Sequence, residues 1–160
     1  IAAIKQENPN TTIEVLIPDF QGQTELIDQI IAQQPNIIAH NIETVERLTT
    51  QVRSAAKYDL SLTVLAYIAQ SGIPAKSGFM LGLGETETEI LQTMDDLRNS
   101  SVSVLTLGQY LQPSRNHLPV SAYIHPDKFN EYKQIGLEKG FRVVESGPLV
   151  RSSYHAERHL

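Results

Sequence analysis

The sequence predicts an α/β protein in which a parallel sheet is covered by helices. Short apolar runs alternate along the chain with longer segments whose apolar residues recur at helical spacing. Such units are joined by right-handed crossovers, which make successive strands parallel. With 160 residues, of which 41% are hydrophobic, the chain is long enough to form one domain with a buried core.

The first part of the chain predicts two strands, each followed by helical segments. An apolar strand over residues 13–20 precedes a turn and a helix whose inward face carries Leu26, Ile27, Ile30 and Ile31. A second strand covers residues 36–39, and a helix over residues 43–52 carries Val45, Leu48 and Val52. The next helix holds Leu60, Val64, Leu65 and Ile68. These segments account for the chain up to Ser71.

Glycine and capping signals divide the middle of the chain. Gly72 suits the left-handed end of the preceding helix, and Pro74 begins a strand that ends near Leu81. Thr86 and Glu89 have capping-box spacing at the start of a helix that buries Ile90, Met94 and Leu97.

The last elements are a strand over residues 102–107, a loop to about residue 124, a helix and a short strand. Pro126 suits the first turn of this helix, which carries Phe129, Tyr132 and Leu137 and ends at Gly140. Residues 141–144 predict the short strand. The pattern fits either an open doubly wound sheet or part of a βα barrel, because a complete eightfold barrel needs about 250 residues.

Composition excludes several classes of function. The net charge of −5 without a long basic run argues against nucleic-acid binding. No apolar run approaches the roughly 20 residues that cross a bilayer, and no signal pattern opens the chain, so no membrane association and a cytoplasmic location are expected. Absence of cysteine excludes thiolate-bound metal within this chain. Ile1, in place of an initiating Met, suggests that a preceding piece is missing.

Both architectures bind ligands beyond the carboxyl ends of the strands, where polar residues follow several apolar runs. Asp19 follows the first strand and is either a ligand-binding or a turn residue. Alternation points Asn41 and Glu43 to the same side, where a carboxylate can accept both hydroxyls of a ribose. The alternative is a helix start, with Asn41 as cap and Glu43 near the positive end of the helix dipole.

Further candidates occur at later strand ends. Arg53 can pair with a carboxylate or be solvated, and Lys76 in its apolar strand is expected to snorkel. Glycines at 82 and 84 permit close backbone approach and leave free N–H groups for a ligand, without a complete dinucleotide or P-loop signature. A polar loop, either functional or a hydrogen-bonded surface loop, holds Gln109, Tyr110, Gln112, Ser114 and Arg115. The five histidines lack metal-site spacing, and Ser153 with His155 is weak support for a hydrolase.

Four separated motifs carry a resemblance to a known family. They are His40–Thr44, the run from Ser77 through Glu85, the run from Leu107 through Arg115, and the terminal sequence Arg-Ser-Ser-Tyr-His-Ala at 151–156. In this order they resemble the C-terminal part of lipoyl synthases, which are radical S-adenosylmethionine enzymes. The resemblance implies the second half of a partial (β/α)6 barrel over residues 1–144, with an open edge strand, and a C-terminal tail over residues 145–160.

The family inserts two sulfur atoms, at C6 and C8, into an octanoyl chain on a carrier-protein lysine. The resemblance therefore implies S-adenosylmethionine and two 4Fe-4S clusters as cofactors. It implies octanoylated lipoyl carrier domains or the glycine-cleavage H protein as partners, together with a reductant. The family's six cluster-binding cysteines are absent here, so the isolated chain is expected to be inactive.

Roles carry over only to matching residues, and none of them is assigned as catalytic. The resemblance implies that Glu43 binds the ribose, that Asn41 faces the substrate, and that Arg53 and Ser77 hold the cofactor's carboxylate. The remaining expected cofactor contacts are Gly82, Gly84, Glu85 and Gln109, with residues 109–115 also bordering the peptide channel. In the tail, Ser153 corresponds to the oxygen ligand of the auxiliary cluster, positioned by Arg151 and Tyr154.

Two other functions remain open from the sequence. One is a non-catalytic remnant that retains adenosyl binding. The other is a flavodoxin-like regulatory domain, for which Asp19 is the candidate phosphoacceptor.

Overall fold

A computed structural model describes residues 1–159 and contains one five-stranded parallel sheet. The strands are Glu14–Leu16 (β1), Ile37–Ala39 (β2), Ala75–Leu81 (β3), Val104–Gln109 (β4) and Val143–Gly147 (β5). The helices are Ala2–Glu7 (α1), Thr24–Ile31 (α2), Thr49–Val52 (α3), Tyr58–Gln70 (α4), Glu87–Asn99 (α5) and Pro126–Glu138 (α6). The predicted parallel α/β class is confirmed.

Strand order distinguishes between the two architectures that the sequence left open. The strands lie side by side in chain order, from β1 to β5, and every pair is parallel. A doubly wound sheet reverses its strand order at a switch point, whereas successive neighbours are the arrangement of a βα barrel. The open doubly wound alternative is therefore wrong for this chain, and with it the flavodoxin-like topology.

One hydrophobic core joins the sheet to its helices. Alternate strand residues such as Ile38, Phe79 and Leu105 pack in one cluster with buried residues of α2, α4, α5 and α6. Because side chains alternate across a strand, the other half of the strand residues lies on the opposite face. We call this opposite face, which includes Glu14, Lys76, Gly78, Thr106 and Gly108, the inner face of the sheet.

Local signals fix the starts of the two long helices that follow β3 and β4. The Thr86 hydroxyl accepts from the Glu89 N–H, and the Glu89 carboxylate accepts from the Thr86 N–H, so the predicted capping box is confirmed. Pro126 lies in the first turn of α6, after His125, whose side chain accepts from the Asp127 N–H. Within residues 1–159, no helix combines the length and the apolarity that crossing a membrane requires.

The predicted helix over residues 43–52 is wrong in its first part. Glu43 has a left-handed φ of 69° and forms a bridge with β3, in which its N–H donates to the Gly78 carbonyl and its carbonyl accepts from the Met80 N–H. This extended pairing occupies the backbone groups that a helix start would use. A 3₁₀ turn over Glu46–Leu48 follows instead, and α3 begins only at Thr49.

Three strands differ from their predicted limits. β1 stops at Leu16 rather than residue 20, because Asp19 caps a turn in which Phe20 and Gln21 have positive φ. β4 covers 104–109 instead of 102–107. β5 is displaced likewise, since the N–H groups of Arg142 and Val143 both donate to the Ser103 carbonyl and so set its start. β5 then continues to Gly147, three residues beyond 144.

The C-terminal tail begins after β5 and is described over residues 148–159, because β5 includes the first three residues of the predicted range 145–160. It lies against the inner face at a position where the sheet has no side chain. A Cβ built on Gly108 would overlap the carbonyl oxygen of Val150, so the tail backbone requires glycine there. Gly147, the register partner of Gly108 on β5, has ordinary space, because its Cβ would lie 3.5 Å from a methyl group of Val150.

This contrast predicts different outcomes for two glycine substitutions. Gly108→Ala should lower the free energy of unfolding by about 1–3 kcal/mol, because the tail must shift to admit the methyl group. Gly147→Ala should change it by less than about 1 kcal/mol, since no backbone atom is displaced. Urea unfolding of both variants measures the difference. Equal effects would contradict the close approach at Gly108.

Candidate functional site

A cavity of about 220 Å³ opens at the carboxyl ends of β2, β3 and β4. It collects residues from the loop after β2, from the inner face and from the tail. They are Asn41, Glu43, Gly78, Phe79, Met80, Thr106, Gly108, Gln109, Leu111, Val150, Arg151 and Ser152. The predicted site residues Asn41, Glu43, Gln109 and Arg151 therefore lie around one space.

Glu43 combines an unusual backbone with a buried carboxyl group. A positive φ is rare outside glycine, and such conformations persist where surrounding contacts enforce them. Here the enforcing contacts are the two backbone hydrogen bonds to β3. Burial raises the pKa of the Glu43 carboxyl above its ordinary value of 4.5, while the Asn41 side chain and the Arg53 charge oppose this rise. Glu43 is thus a hydrogen-bonding group held in a partly desolvated cavity.

Asn41 supplies an unused acceptor to the same cavity. Its side-chain oxygen is buried and has no hydrogen-bond partner within residues 1–159. Buried polar atoms are nearly always paired, and exceptions are expected where a ligand group completes the pairing. Both residues line the cavity, where the Glu43 carboxylate can accept hydrogen bonds from a polyhydroxylated ligand and the Asn41 oxygen is an acceptor still without a partner.

Arg53 and Ser77 support the loop from outside the cavity. Arg53 Nη1 donates to the carbonyl oxygens of Asn41 (3.2 Å) and Ile42 (3.3 Å), and the Ser77 hydroxyl accepts from the Ile42 N–H (3.2 Å). Neither side chain is among those that line the cavity. Both hold the backbone between Asn41 and Glu43 in place, and their expected contact with a cofactor carboxylate stays a prediction.

A buried histidine extends this supporting network. His40 contacts the Ile17 carbonyl through Nδ1 (3.0 Å) and the Ser61 hydroxyl through Nε2 (2.9 Å). Ser61 also accepts from Arg53 Nη1 at 3.3 Å. Burial lowers the pKa of His40, which favours a neutral ring with one donor and one acceptor. His40 is therefore a core residue that fixes the start of the loop.

The glycine-rich turn after β3 satisfies its own backbone. Glu85 accepts from the N–H groups of Gly82 (2.6 Å) and Leu83 (2.9 Å), so these two donors, expected to be free for a ligand, are occupied. Gly82 and Gly84 have φ values of 100° and 103°, which side chains rarely adopt. A Cβ at Gly82 would also overlap the Ala122 carbonyl. Gly82, Gly84 and Glu85 are not among the residues that line the cavity, and their expected contact with a cofactor stays a prediction.

Gln109 links the cavity to the long loop that follows β4. Its amide nitrogen donates to the carbonyls of Tyr110 and Ala122, and its amide oxygen accepts from the Ile124 N–H. Within the loop, the Tyr110 hydroxyl donates to the Leu118 carbonyl, and Gln112 and Ser114 both bond to His117. Arg115 is exposed. The polar cluster therefore folds the loop, and one side of the loop borders the cavity.

An apolar groove of about 440 Å³ adjoins the cavity and shares Met80 and Leu111 with it. Two of its lining residues, Leu83 and Tyr110, belong to a small buried cluster that also contains Val45 and Leu48. The site is thus polar near Glu43 and apolar beneath the long loop. This combination suits a ligand that carries both hydroxyl groups and a flat or aliphatic part.

The tail contributes neighbouring residues in unequal ways. Arg151 and Ser152 line the cavity, and Arg151 Nη1 donates to the Val150 carbonyl at 2.7 Å. Ser153 is exposed and follows directly, outside the lining residues. Tyr154 packs edge-to-face on His155, with ring centroids 4.2 Å apart. No group of three or more potential metal ligands occurs in the part of the chain that the structure describes.

Sequence reasoning missed the cavity residues that come from strand interiors. Gly78, Thr106 and Gly108 occupy adjacent register positions on the inner face. A glycine inside a strand often marks close approach of a ligand or of another backbone, and two such glycines were the available signal. Thr106 gave no such signal, because β-branched residues are common in strands.

Two solved structures with low sequence identity have a fold similar to that of this chain. Methylornithine synthase superposes with a TM-score of 0.65 at 13% identity, over 94% of this chain and 52% of that one. A radical S-adenosylmethionine methyltransferase from Kitasatospora setae gives 0.50 at 12% identity, over 66% of this chain and 22% of that one. The chain therefore shares the fold of part of each of these two enzymes.

Comparison with proteins of known name finds relatives of much higher sequence identity. Proteins named lipoyl synthase from Parabacteroides distasonis, Treponema denticola and Porphyromonas gingivalis are 61–62% identical to the chain over its whole length. Along its whole length the chain is therefore similar to part of the proteins named lipoyl synthase. It spans 55–57% of the length of these relatives. No family model matches it.

The environment of Glu43 predicts a pH-dependent stability difference. Because burial raises its pKa, folded Glu43 retains a proton at pH values where the unfolded chain has lost it. Folded chains then bind more protons than unfolded ones, so the stability that this group contributes falls as the pH rises from 4.5 through the folded pKa. Glu43→Gln cannot ionise and should gain stability relative to wild type over this interval, by about 1.4 kcal/mol per unit of pKa rise.

Urea unfolding at pH 4 and pH 7 measures this difference. Glu7→Gln, on exposed α1, is the control for losing one carboxylate elsewhere. If the difference in the free energy of unfolding between wild type and Glu43→Gln does not change with pH, the Glu43 carboxylate is not a strained, partly desolvated group.

Proposed function

We propose that this chain forms the C-terminal barrel portion of a lipoyl synthase, which inserts sulfur at C6 and C8 of a protein-bound octanoyl-lysine. The observation that carries the proposal is identity of 61–62% to proteins of that name along the entire chain. The polar cavity at the carboxyl ends of the strands supports it, because barrel enzymes place their chemistry at this edge.

The cavity residues fit S-adenosylmethionine. Asn41 offers an unpaired buried oxygen and Glu43 a carboxylate, which together suit the ribose hydroxyls. Gly78 and Gly108 leave the adjacent inner face without side chains, and the apolar groove under the long loop suits an adenine ring. When bound and reductively cleaved, this cofactor supplies the radical that removes hydrogen from the octanoyl carbons.

The residues of this chain do not by themselves fit a 4Fe-4S cluster. Such clusters are held by cysteine thiolates, and the chain has no cysteine. In the proposed enzyme the thiolate ligands come from outside this sequence, and Ser153 contributes only the oxygen ligand that the family resemblance assigns to it. A hydroxyl oxygen binds iron more weakly than a thiolate, which suits a cluster that must release sulfur.

Within this proposal the chain's own residues bind and orient. Glu43 and Asn41 fix the cofactor's sugar, while Arg53 and Ser77 hold their loop through backbone contacts. A direct contact of Arg53 and Ser77 with the cofactor's carboxylate requires the loop to open. Val150, Arg151 and Ser152 close one side of the cavity and limit access of water to it.

The carrier, the reductant and the location belong to the same proposal. The substrate is an octanoyl-lysine of a lipoyl carrier domain or of the glycine-cleavage H protein, and a protein reductant supplies electrons in the cytoplasm. The loop formed by residues 110–124 borders the groove and exposes Leu111 and Tyr123, which makes it the expected contact surface for the carrier.

The complete protein that contains this sequence tests the proposal. After anaerobic loading with iron and sulfide, and with S-adenosylmethionine and a reductant supplied, it should convert an octanoyl-lysine peptide into the lipoyl product, as detected by mass spectrometry. Glu43→Gln should raise the S-adenosylmethionine concentration for half-maximal rate about tenfold or more, because a hydrogen bond to a charged group contributes about 1.5–3 kcal/mol. Glu7→Gln should leave this concentration unchanged.

Two outcomes separate the alternatives. Cofactor binding and cleavage without sulfur insertion, in protein with both clusters loaded, would support the non-catalytic adenosyl-binding function instead. If Glu43→Gln inserts sulfur with the same half-maximal S-adenosylmethionine concentration as wild type, Glu43 is not a cofactor-binding residue. The proposed activity of the protein would still stand.

A further inference from the structure

The inner face carries a buried ionic cluster away from the cavity. Lys76, the second residue of β3, is completely buried, although the sequence predicted that it would snorkel to solvent. Its ammonium donates to Glu14 Oε1 at 2.5 Å and to His159 Nδ1 at 3.1 Å. His159 is also completely buried, and the Glu14 carboxylate is mostly shielded. These three side chains come from β3, β1 and the end of the tail.

Register explains why the cluster can form. Ala39 of β2 pairs with Leu16 on β1 and with Lys76 on β3, so Lys76 and Glu14 lie on the same face, one strand apart. Glu14 and Lys76 lie near the starts of their strands, whereas the cavity lies at the strand ends. His159 reaches them only because the tail crosses the inner face from Gly108 toward the starts of the strands.

A second contact holds the same end of the tail. The Arg142 guanidinium, just before β5, donates to the His159 carbonyl. Charged neighbours of the His159 ring are Lys76 at 3.1 Å and Glu14 Oε2 at 3.3 Å. The tail is thus fixed at two points: at Val150 against Gly108, and at His159 against Lys76, Glu14 and Arg142.

The buried charge of Lys76 makes the ionic cluster depend on the tail for its stability. An ammonium removed from water is strongly unfavourable unless hydrogen-bonded partners replace its hydration. Glu14 supplies one partner and the His159 ring supplies the second, besides shielding the pair from solvent. Burial lowers the pKa of Lys76, and the hydrogen bond and charge of Glu14 oppose this effect.

We propose that Lys76 is a positioning residue for the C-terminal tail, which it fastens across the inner face through His159 with Glu14 as counter-ion. The fastened tail keeps Arg151 and Ser152 at the cavity and presents Ser153 beside it. This role goes beyond cofactor binding, because it acts through the tail and concerns only contacts within the chain.

Hydrogen exchange of the complete protein that contains this sequence tests the role of Lys76. Lys76→Met keeps the length of the side chain and removes its charge, and His159→Ala removes the far partner. Both should increase exchange in residues 148–159 by about tenfold or more, because a hydrogen bond to a charged group is lost. Exchange in β3 and β4 reports whether the sheet remains folded.

Two further variants make the test specific. His159→Gln keeps an amide oxygen that can accept from Lys76, and it should restore most of the protection that His159→Ala loses. Lys57→Met, an exposed lysine on the helix side, is the matched control and should leave the tail unchanged. Unchanged protection of residues 148–159 in His159→Ala, or equal loss in His159→Gln and His159→Ala, would overturn the proposal.

Discussion

The pairing of β3 with β4 is the constraint on which the rest of the structure depends. It runs from Lys76 opposite Val104 to Leu81 opposite Gln109 and is the longest ladder in the sheet. Because the ladder is parallel and in strict register, it aligns the glycines, the cavity residues and the buried lysine on one face. The helices pack on the other face, and the loop after β2 is held by a bridge from Glu43 to the same β3 strand. One ladder therefore determines where the core, the cavity and the tail lie.

The sequence predicted the architecture well because its signals are local. Apolar periodicity located the main helices, and Thr86 with Glu89 marked the start of α5 before any tertiary contact was known. The segment after Asn41 and the strand β5 were misplaced because they depend on distant partners. The segment after Asn41 has helical spacing, yet its first residue pairs with β3, and no property of residues 43–52 reports that bond. β5 is likewise placed by Ser103, a residue forty positions earlier in the chain.

The site shows the same division between local and distant information. Motif resemblance found Asn41, Glu43 and the tail, since these positions carry polar residues at strand ends. It did not separate side chains that face the cavity from those that support them. Arg53 and Ser77 turn toward backbone groups, and the Glu85 carboxylate occupies the N–H groups of the glycine turn. The sequence does not distinguish a polar residue that contacts a ligand from one that only supports the ligand-binding loop.

The contact between Glu14 and His159 has a consequence for the order of events during synthesis. These residues are separated by 145 positions, whereas neighbouring strands pair across much shorter intervals. Each strand–helix unit can therefore join the sheet soon after it leaves the ribosome, but the inner face stays uncovered until the tail has been made. During that interval Lys76 and its apolar neighbours face solvent or a chaperone. The contacts that the tail makes with the inner face therefore form only after all five strands have been synthesised.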